Sequence, residues 1–190
     1  TNTTLSNNTD GTFDVIGPNA TGIEFDTFGN GARIQNTGNI NIEATNGDAT
    51  GISLSQFLAG ASIYNSGTLT VNSTPSSQWS YARAIDLTDD TGGGSIRNEG
   101  TINAYIDNKL DKSAHSLYVI STTDVSILNT STGKLNGNIS FYKNAFDKID
   151  LNNLNEEDIL DALRRNHRFL KFQILFALIN KEIDIQRASN

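Results

Sequence analysis

The sequence predicts an all-β fold: a parallel β-helix of three strands per coil and about four coils, followed by a C-terminal amphipathic α-helix. Three observations predict it. One motif is written four times, as Ile34-x-Asn36-x-Gly38-x-Ile40, Ile63-x-Asn65-x-Gly67-x-Leu69 and Ile96-x-Asn98-x-Gly100-x-Ile102, then as Ile127-x-Asn129 and Gly133-x-Leu135 parted by two extra residues. Its asparagines lie 29, 33 and 31 residues apart, a period typical of solenoids. A second motif keeps step with the first: Gly22-Ile23-Glu24-Phe25, Gly51-Ile52-Ser53-Leu54, Ala84-Ile85-Asp86-Leu87 and Ser116-Leu117-Tyr118-Val119. Finally, after Asn152 the pattern changes and apolar residues recur at helical spacing.

Taken in order, a polar Asn/Thr tail leads into Gly11-Thr12-Phe13-Asp14-Val15, which aligns with residues 38–42 and marks a partial unit ahead of the first full one. Each full unit holds three short alternating segments, in the second unit 52–54, 61–63 and 69–71. Side chains alternate across a strand, so Ile52 and Leu54 share one face and Ser53 takes the other. The same rule turns Ala32 and Ile34 inward with Arg33 and Gln35 outward, and Ile102 and Ala104 inward with Thr101 and Asn103 outward. A period of two in every segment argues for strand. Such units bury their apolar face only by stacking, at about 4.8 Å per coil. Loops at 73–81 and 107–113 absorb the differences in length.

The Asn-x-Gly pair has a physical reading of its own. Glycine is expected to supply positive φ where the chain turns sharply between the second and third strands. Asn36, Asn65, Asn98 and Asn129 are expected to stack as a hydrogen-bonded amide ladder. A buried amide without partners would cost roughly 1–3 kcal/mol.

The chain divides into a β-helix domain, 1–151, and a helical segment, 152–190. Asn155-Glu156-Glu157-Asp158 has the capping side chain and early acids of a helix start. Ile159, Leu160, Leu163, Leu170, Ile174, Leu178 and Ile179 form its apolar stripe, which Phe169, Phe172 and Phe176 widen, while Arg164, Arg165, Arg168 and Lys171 form a basic face. Two roles stay open for it: a cap over the open end of the coil, or a docking element for another subunit. Acids at both of its ends argue against a membrane-surface role. An uncapped polar start and a helix more apolar than one contact needs together predict self-association, as a dimer or an end-to-end filament.

Composition narrows the function. With 36% apolar residues, a narrow stacked core fits better than a wide globular one. The absence of cysteine removes any disulfide framework. The apolar stretch 169–179 is too short to span a bilayer and contains Lys171 and Gln173. Methionine is absent throughout, so Thr1 reads as a processed terminus, left either by removal of an export signal or by excision from a longer chain. Up to Asp107 eleven acids face only Arg33, Arg83 and Arg97, and this acidity argues against a nucleic-acid partner.

No set of side chains forms a recognisable catalytic group, and no cofactor or metal is expected. His115 and His167 lie far apart in sequence without cysteine beside them. Asp86, Asp89 and Asp90 precede Gly92-Gly93-Gly94, but their spacing is that of a solvated turn and not of a calcium loop. Glu24 and Asp86 occupy equivalent outward places two coils apart, a weak pairing for polysaccharide cleavage. Aromatic residues are the better binding candidates. Trp79 and Tyr81 fall in the longest loop, and Tyr64 and Tyr118 take outward strand positions, where rings can stack on sugars or anchor a protein. The other reading folds Trp79 back as a lid on the coil. Sequons at Asn2, Asn7, Asn19, Asn72, Asn129 and Asn138 reflect an Asn/Thr-rich composition.

From Ile34 to Ile40, Ile63 to Leu69 and Ile96 to Ile102, with the degenerate copy at Ile127 to Leu135, the chain resembles the passenger domains of bacterial autotransporters and related exported β-helix proteins. The resemblance covers about residues 11–140. It implies a secreted or cell-surface bacterial protein, often an adhesin. Without a clustered catalytic set, the expected function is non-enzymatic, adhesion or structural scaffolding, with a glycan or protein ligand on a cell surface met through the Trp79 loop. Two departures stand out: no membrane β-barrel follows, and the coils are few. The alternative function is a polysaccharide-degrading β-helix enzyme, a lyase or hydrolase.

Overall fold

The computed structural model describes residues 3–29, 31–75, 77, 79–88, 93–120, 125–142 and 148–149. Strands follow one another in threes. The first rung is β1 (Thr4–Asn7), β2 (Thr12–Gly17) and β3 (Ala20–Phe28); the second is β4 (Arg33–Asn36), β5 (Asn39–Ala44) and β6 (Ala49–Phe57). Next come β7 (Ser62–Asn65), β8 (Thr68–Ser73) and β9 (Ala82–Leu87), then β10 (Ser95–Asn98), β11 (Thr101–Ile106) and β12 (Ala114–Ile120). The series ends with β13 (Ser126–Asn129), β14 (Lys134–Asn136) and β15 (Asn138–Tyr142), and with β16 (Lys148–Ile149) above them.

Every strand pairs in parallel with its counterpart one rung away, which gives three sheets: β1-β4-β7-β10-β13-β16, β2-β5-β8-β11-β14 and β3-β6-β9-β12-β15. The protein is a parallel β-solenoid of about four turns. All of these strands belong to the compact unit Thr1–Ile149; the expected C-terminal helix lies outside the described residues.

Register stacks like on like. Leu5, Ile34, Ile63, Ile96, Ile127 and Ile149 form one column of the first sheet. Phe13, Ile40, Leu69, Ile102 and Leu135 form another in the second sheet, and Ile23, Ile52, Ile85, Leu117 and Ile139 a third in the third sheet. The middle members, such as Ile34, Ile63, Leu69, Ile85 and Ile102, are fully buried, each contributing about 1.5–3 kcal/mol against exposure. A one-residue slip in any strand would turn its apolar set to solvent, so the alternating pattern fixes register as well as fold.

The asparagines occupy the end of each first-sheet strand and point inward. Asn36 Nδ2 donates to Asn65 Oδ1 at 2.8 Å, Asn65 to Asn98 at 2.7 Å and Asn98 to Asn129 at 2.7 Å. The second amide hydrogen reaches a backbone carbonyl at the start of the next rung's second-sheet strand: Thr68 O from Asn36, Lys134 O from Asn98. The ladder also extends one step beyond the four motif copies, since Asn7 Nδ2 donates to Asn36 Oδ1 at 2.9 Å and to Asn39 O. Leu5-x-Asn7 is therefore a fifth copy, hidden in the sequence because extra residues separate Asn7 from Gly11.

The role expected for the motif glycines is corrected. Gly38, Gly67 and Gly100 do not adopt positive φ; that conformation recurs at Gly31 (81°), Gly60 (80°) and Gly93 (77°), at the corner from the third sheet to the first, and occurs singly at Asp107, Asn108 and Gly137 between the second sheet and the third. What Gly38, Gly67 and Gly100 require is the absence of a side chain. A Cβ on Gly67 would lie 2.0 Å from Gly38 O, and one on Gly100 2.1 Å from Gly67 O. The coils touch backbone to backbone at this corner, where Gly38 O accepts from Thr68 N and Gly67 O from Thr101 N.

Two substitutions test this account. Gly67→Ala is expected to destabilise by roughly 1–3 kcal/mol, because the obstructing atom is backbone and cannot turn aside. Asn65→Leu removes the amide between Asn36 and Asn98 and is expected to cost about 1–3 kcal/mol through the unsatisfied neighbours. Urea unfolding measures both; a variant as stable as the parent rejects the corresponding contact as a stabilising one.

Candidate functional site

The longest insertion, between β8 and β9, carries Trp79 and Tyr81. Its backbone is held locally: Trp79 N donates to Ser77 Oγ at 3.2 Å and Ser80 N to Ser77 O. Tyr81 N donates to Asp48 Oδ1 at 3.0 Å, and Tyr81 O accepts from Ala49 N, which ties the end of the loop to the rung below. Against this anchored backbone the Trp79 side chain stands free, 81% exposed. The reading in which Trp79 folds back over the coil is thereby excluded.

Tyr81 and Tyr118 meet through a residue the sequence reading passed over. Arg83 lies between them, its guanidinium carbon 4.1 Å from the Tyr81 ring centre and 3.6 Å from that of Tyr118. His115 meets the Tyr118 ring edge-on at 5.3 Å. Arg83 Nη1 also pairs with Asp86 Oδ2 at 2.9 Å. Residues three apart on a strand normally face opposite ways. Here Gly22, Gly51, Ala84 and Ser116 drop out of the strand pairing, so Ala84 and Ile85 are buried in succession and Arg83 and Asp86 emerge together. Arg83 in an acidic region, flanked by aromatic residues at matching places in its own and the next rung, was the available signal.

This cluster is closed. The side chain of Asp86 is 7% exposed, and among the described residues neither its Oδ1 nor Arg83 Nε has a hydrogen-bond partner. Burial raises the Asp86 pKa above the usual carboxylate range, with the hydrogen bond and charge of Arg83 opposing the rise. Burial likewise raises the Tyr81 hydroxyl. The cluster pins the exit of the Trp79 loop to the third sheet, and its cation is already used.

Tyr64 lies elsewhere, on the outer face of the first sheet, where its hydroxyl donates to Glu99 Oε2 at 2.7 Å. That bond, together with Arg97, holds Glu99 below its ordinary pKa. Of the four aromatic candidates, Tyr81 and Tyr118 meet across Arg83, Trp79 stands exposed on the loop that ends at Tyr81, and Tyr64 lies apart. Asn36, Asn65, Asn98 and Asn129 are interior and bonded to each other. Asn72, Asn129 and Asn138 are buried, which closes those sequons to modification in the folded chain. Glu24 and Asp86 share a column with Ser53 between them. Among the described residues no three His, Asp or Glu side chains are placed to hold a metal ion; Asp89, Asp90, Gly92 and His167 lie outside them. Comparison with known family models, curated proteins and solved structures returns no match.

The Asp86 shift sets a pH dependence. Its folded pKa is raised, so the stability it contributes is full below the unfolded value of about 3.9 and is lost as pH rises through the folded value. Stability of the native protein relative to Asp86→Asn is therefore expected to decline as pH climbs from about 4, read as urea midpoints for both proteins across that range. A difference that stays flat or rises with pH would show that the carboxyl is not held in a desolvated site.

Proposed function

We propose that the protein is a non-enzymatic, exported cell-surface module of the autotransporter-passenger type, whose β-solenoid presents an aromatic loop to a glycan or protein ligand. The observation that carries this reading is Trp79: a large ring, 81% exposed, on a loop whose flanking backbone is anchored to Asp48, Ala49 and Ser77. A large aromatic side chain with two rotatable bonds loses little conformational entropy on binding, and tryptophan is among the residues that dominate binding energies. The stacked Ile-x-Asn-x-Gly rungs support export and display, because that repeat is the feature in which the chain resembles passenger domains.

The alternative class, a polysaccharide lyase or hydrolase, would draw on Glu24 and Asp86. Two rungs at about 4.8 Å each separate them, a spacing that leaves room for paired carboxylates. Asp86, however, is buried and paired with Arg83, so the geometry favours binding over cleavage. Release of reducing ends from neutral or acidic polysaccharides by the purified protein would favour the enzyme.

For the binding reading, Trp79→Ala is expected to weaken cell or glycan-array binding by about tenfold or more while leaving stability unchanged, as suits a truncated binding hot spot. Equal binding by the two proteins, with both folded by circular dichroism, would remove the loop from the ligand site.

A further inference from the structure

Outside the first rung, the exposed large apolar side chains among the described residues are Trp79, 81% exposed, and Leu110, 47% exposed. They belong to two insertions that stack on one another. Ile106 pairs with Ser73, and Ala114 with Ala82. Asp107 N donates to Ser73 O and Ala82 N to Ser113 O, so the two loops leave and re-enter the coil one rung apart, about 4.8 Å at their roots. Together they form one ridge along the corner from the second sheet to the third.

The backbone holds Leu110 on that ridge. Ile106 and Lys109 exchange both backbone hydrogen bonds at 2.9 Å around Asp107 (φ 50°) and Asn108 (φ 59°), the non-glycine residues at positive φ among the described residues. A closed two-residue turn of this kind needs positive φ at both central positions. Asn108 N donates to the buried Asn72 Oδ1, and Asp111 O accepts from Asn138 Nδ2 at 2.8 Å, so Leu110 is fixed on both sides. Lys109 and Lys112 flank it, exposed and in no ion pair among the described residues, whereas Arg83 and Arg97 are both paired. Of the acids in the loop, Asp111 turns Oδ1 to Ser113 N and Asp107 occupies the turn itself.

We propose that the ridge of Trp79 and Leu110 docks a segment of a protein partner in which apolar side chains stand among acidic ones. This rests on the reading of the Trp79 loop as the ligand site and narrows its two ligand classes to one. A sugar ring can stack on an indole, but its hydroxyls would be desolvated against Leu110 without hydrogen-bond partners. Apolar side chains of a polypeptide cover both Trp79 and Leu110, and its carboxylates meet Lys109 and Lys112. The rod below is acidic, with eleven acids against three bases up to Asp107, so like charge repels an acidic segment there and the two lysines set where it lands.

The full chain is immobilised and offered two probes, a phage-displayed random-peptide library and a glycan array. Selected peptides are expected to combine apolar with acidic residues and to bind less tightly as salt rises. Toward such a peptide, Trp79→Ala is expected to lose about tenfold or more in affinity and Leu110→Ser about fivefold. Lys109→Glu combined with Lys112→Glu is expected to lose about tenfold at low salt and less at high salt. All three changes are at exposed side chains, and unchanged urea midpoints keep lost binding apart from lost folding. No selected peptide, or peptides indifferent to Leu110 and to both lysines, overturns the proposal. Glycan binding that needs Trp79 but not Leu110 also overturns it, while the binding role of the loop stands; no Trp79-dependent binding of either probe removes both. A sedimentation mass that rises with concentration, and returns to that of one chain in Leu110→Ser, overturns it in favour of a second copy as the occupant.

Discussion

No coil of this protein has a core of its own. A single rung offers a few inward side chains and three strands whose backbone groups are all unpaired, so its free energy is unfavourable until another rung lies on it in register. Everything else in the structure follows from that dependence. The isoleucine columns gain their burial from the rungs above and below, and the hydrogen-bond ladders close the backbone of one coil with the backbone of the next. Stability is then a sum of similar interfaces, and the outermost rung, buried on one side only, is where Leu5 and Phe13 meet solvent.

Corners limit how closely such rungs can stack, and this chain solves two of them with glycine in different ways. At the corner from the third sheet to the first, Gly31, Gly60 and Gly93 accept a left-handed backbone that other residues resist. From the first sheet to the second, Gly38, Gly67 and Gly100 keep a normal backbone and give up only the side chain, so that one carbonyl can sit directly beneath the next α-carbon. The inward amides beside this corner satisfy carbonyls that the tight turn would otherwise strand. Close stacking and polar satisfaction are thus met by the same three-residue motif. The third corner, from the second sheet to the third, also holds positive-φ residues, Asp107, Asn108 and Gly137, yet it varies in length from rung to rung and carries the insertions that hold Trp79 and the 107–113 loop.

That division explains where binding can reside. A column position is constrained by two neighbours at once, and a change there is felt along the rod. The insertion between β8 and β9 is held where it leaves β8, by Thr74 N on Ala44 O, and where it enters β9, by Asp48 and Ala49 on one rung and by the Arg83 cluster on the third sheet. Within those anchors the Trp79 ring can vary without cost to the coil. Arg83, held between two tyrosine rings and paired with Asp86, turns a loop into a mount. It is a structural use of a base in a region whose charge is otherwise mostly acidic.

The sequence by itself determined the solenoid, because period-two alternation and a recurring Ile-x-Asn-x-Gly are local signals that repeat at matching intervals. It also placed the asparagines in one column, since residues at equal distance along equal coils must stack. Insertions hid Leu5-x-Asn7, whose membership in the ladder depends on pairing with β4 and not on spacing. Only the tertiary structure decided why each glycine is glycine, because a carbonyl 2.0 Å from an absent Cβ belongs to a residue a whole coil away. The same holds for the site. Exposure of Trp79, the meeting of Tyr81 with Tyr118 and the burial of Asp86 all arise between rungs, from residues about thirty positions apart, and strand alternation alone would have set Arg83 and Asp86 on opposite faces.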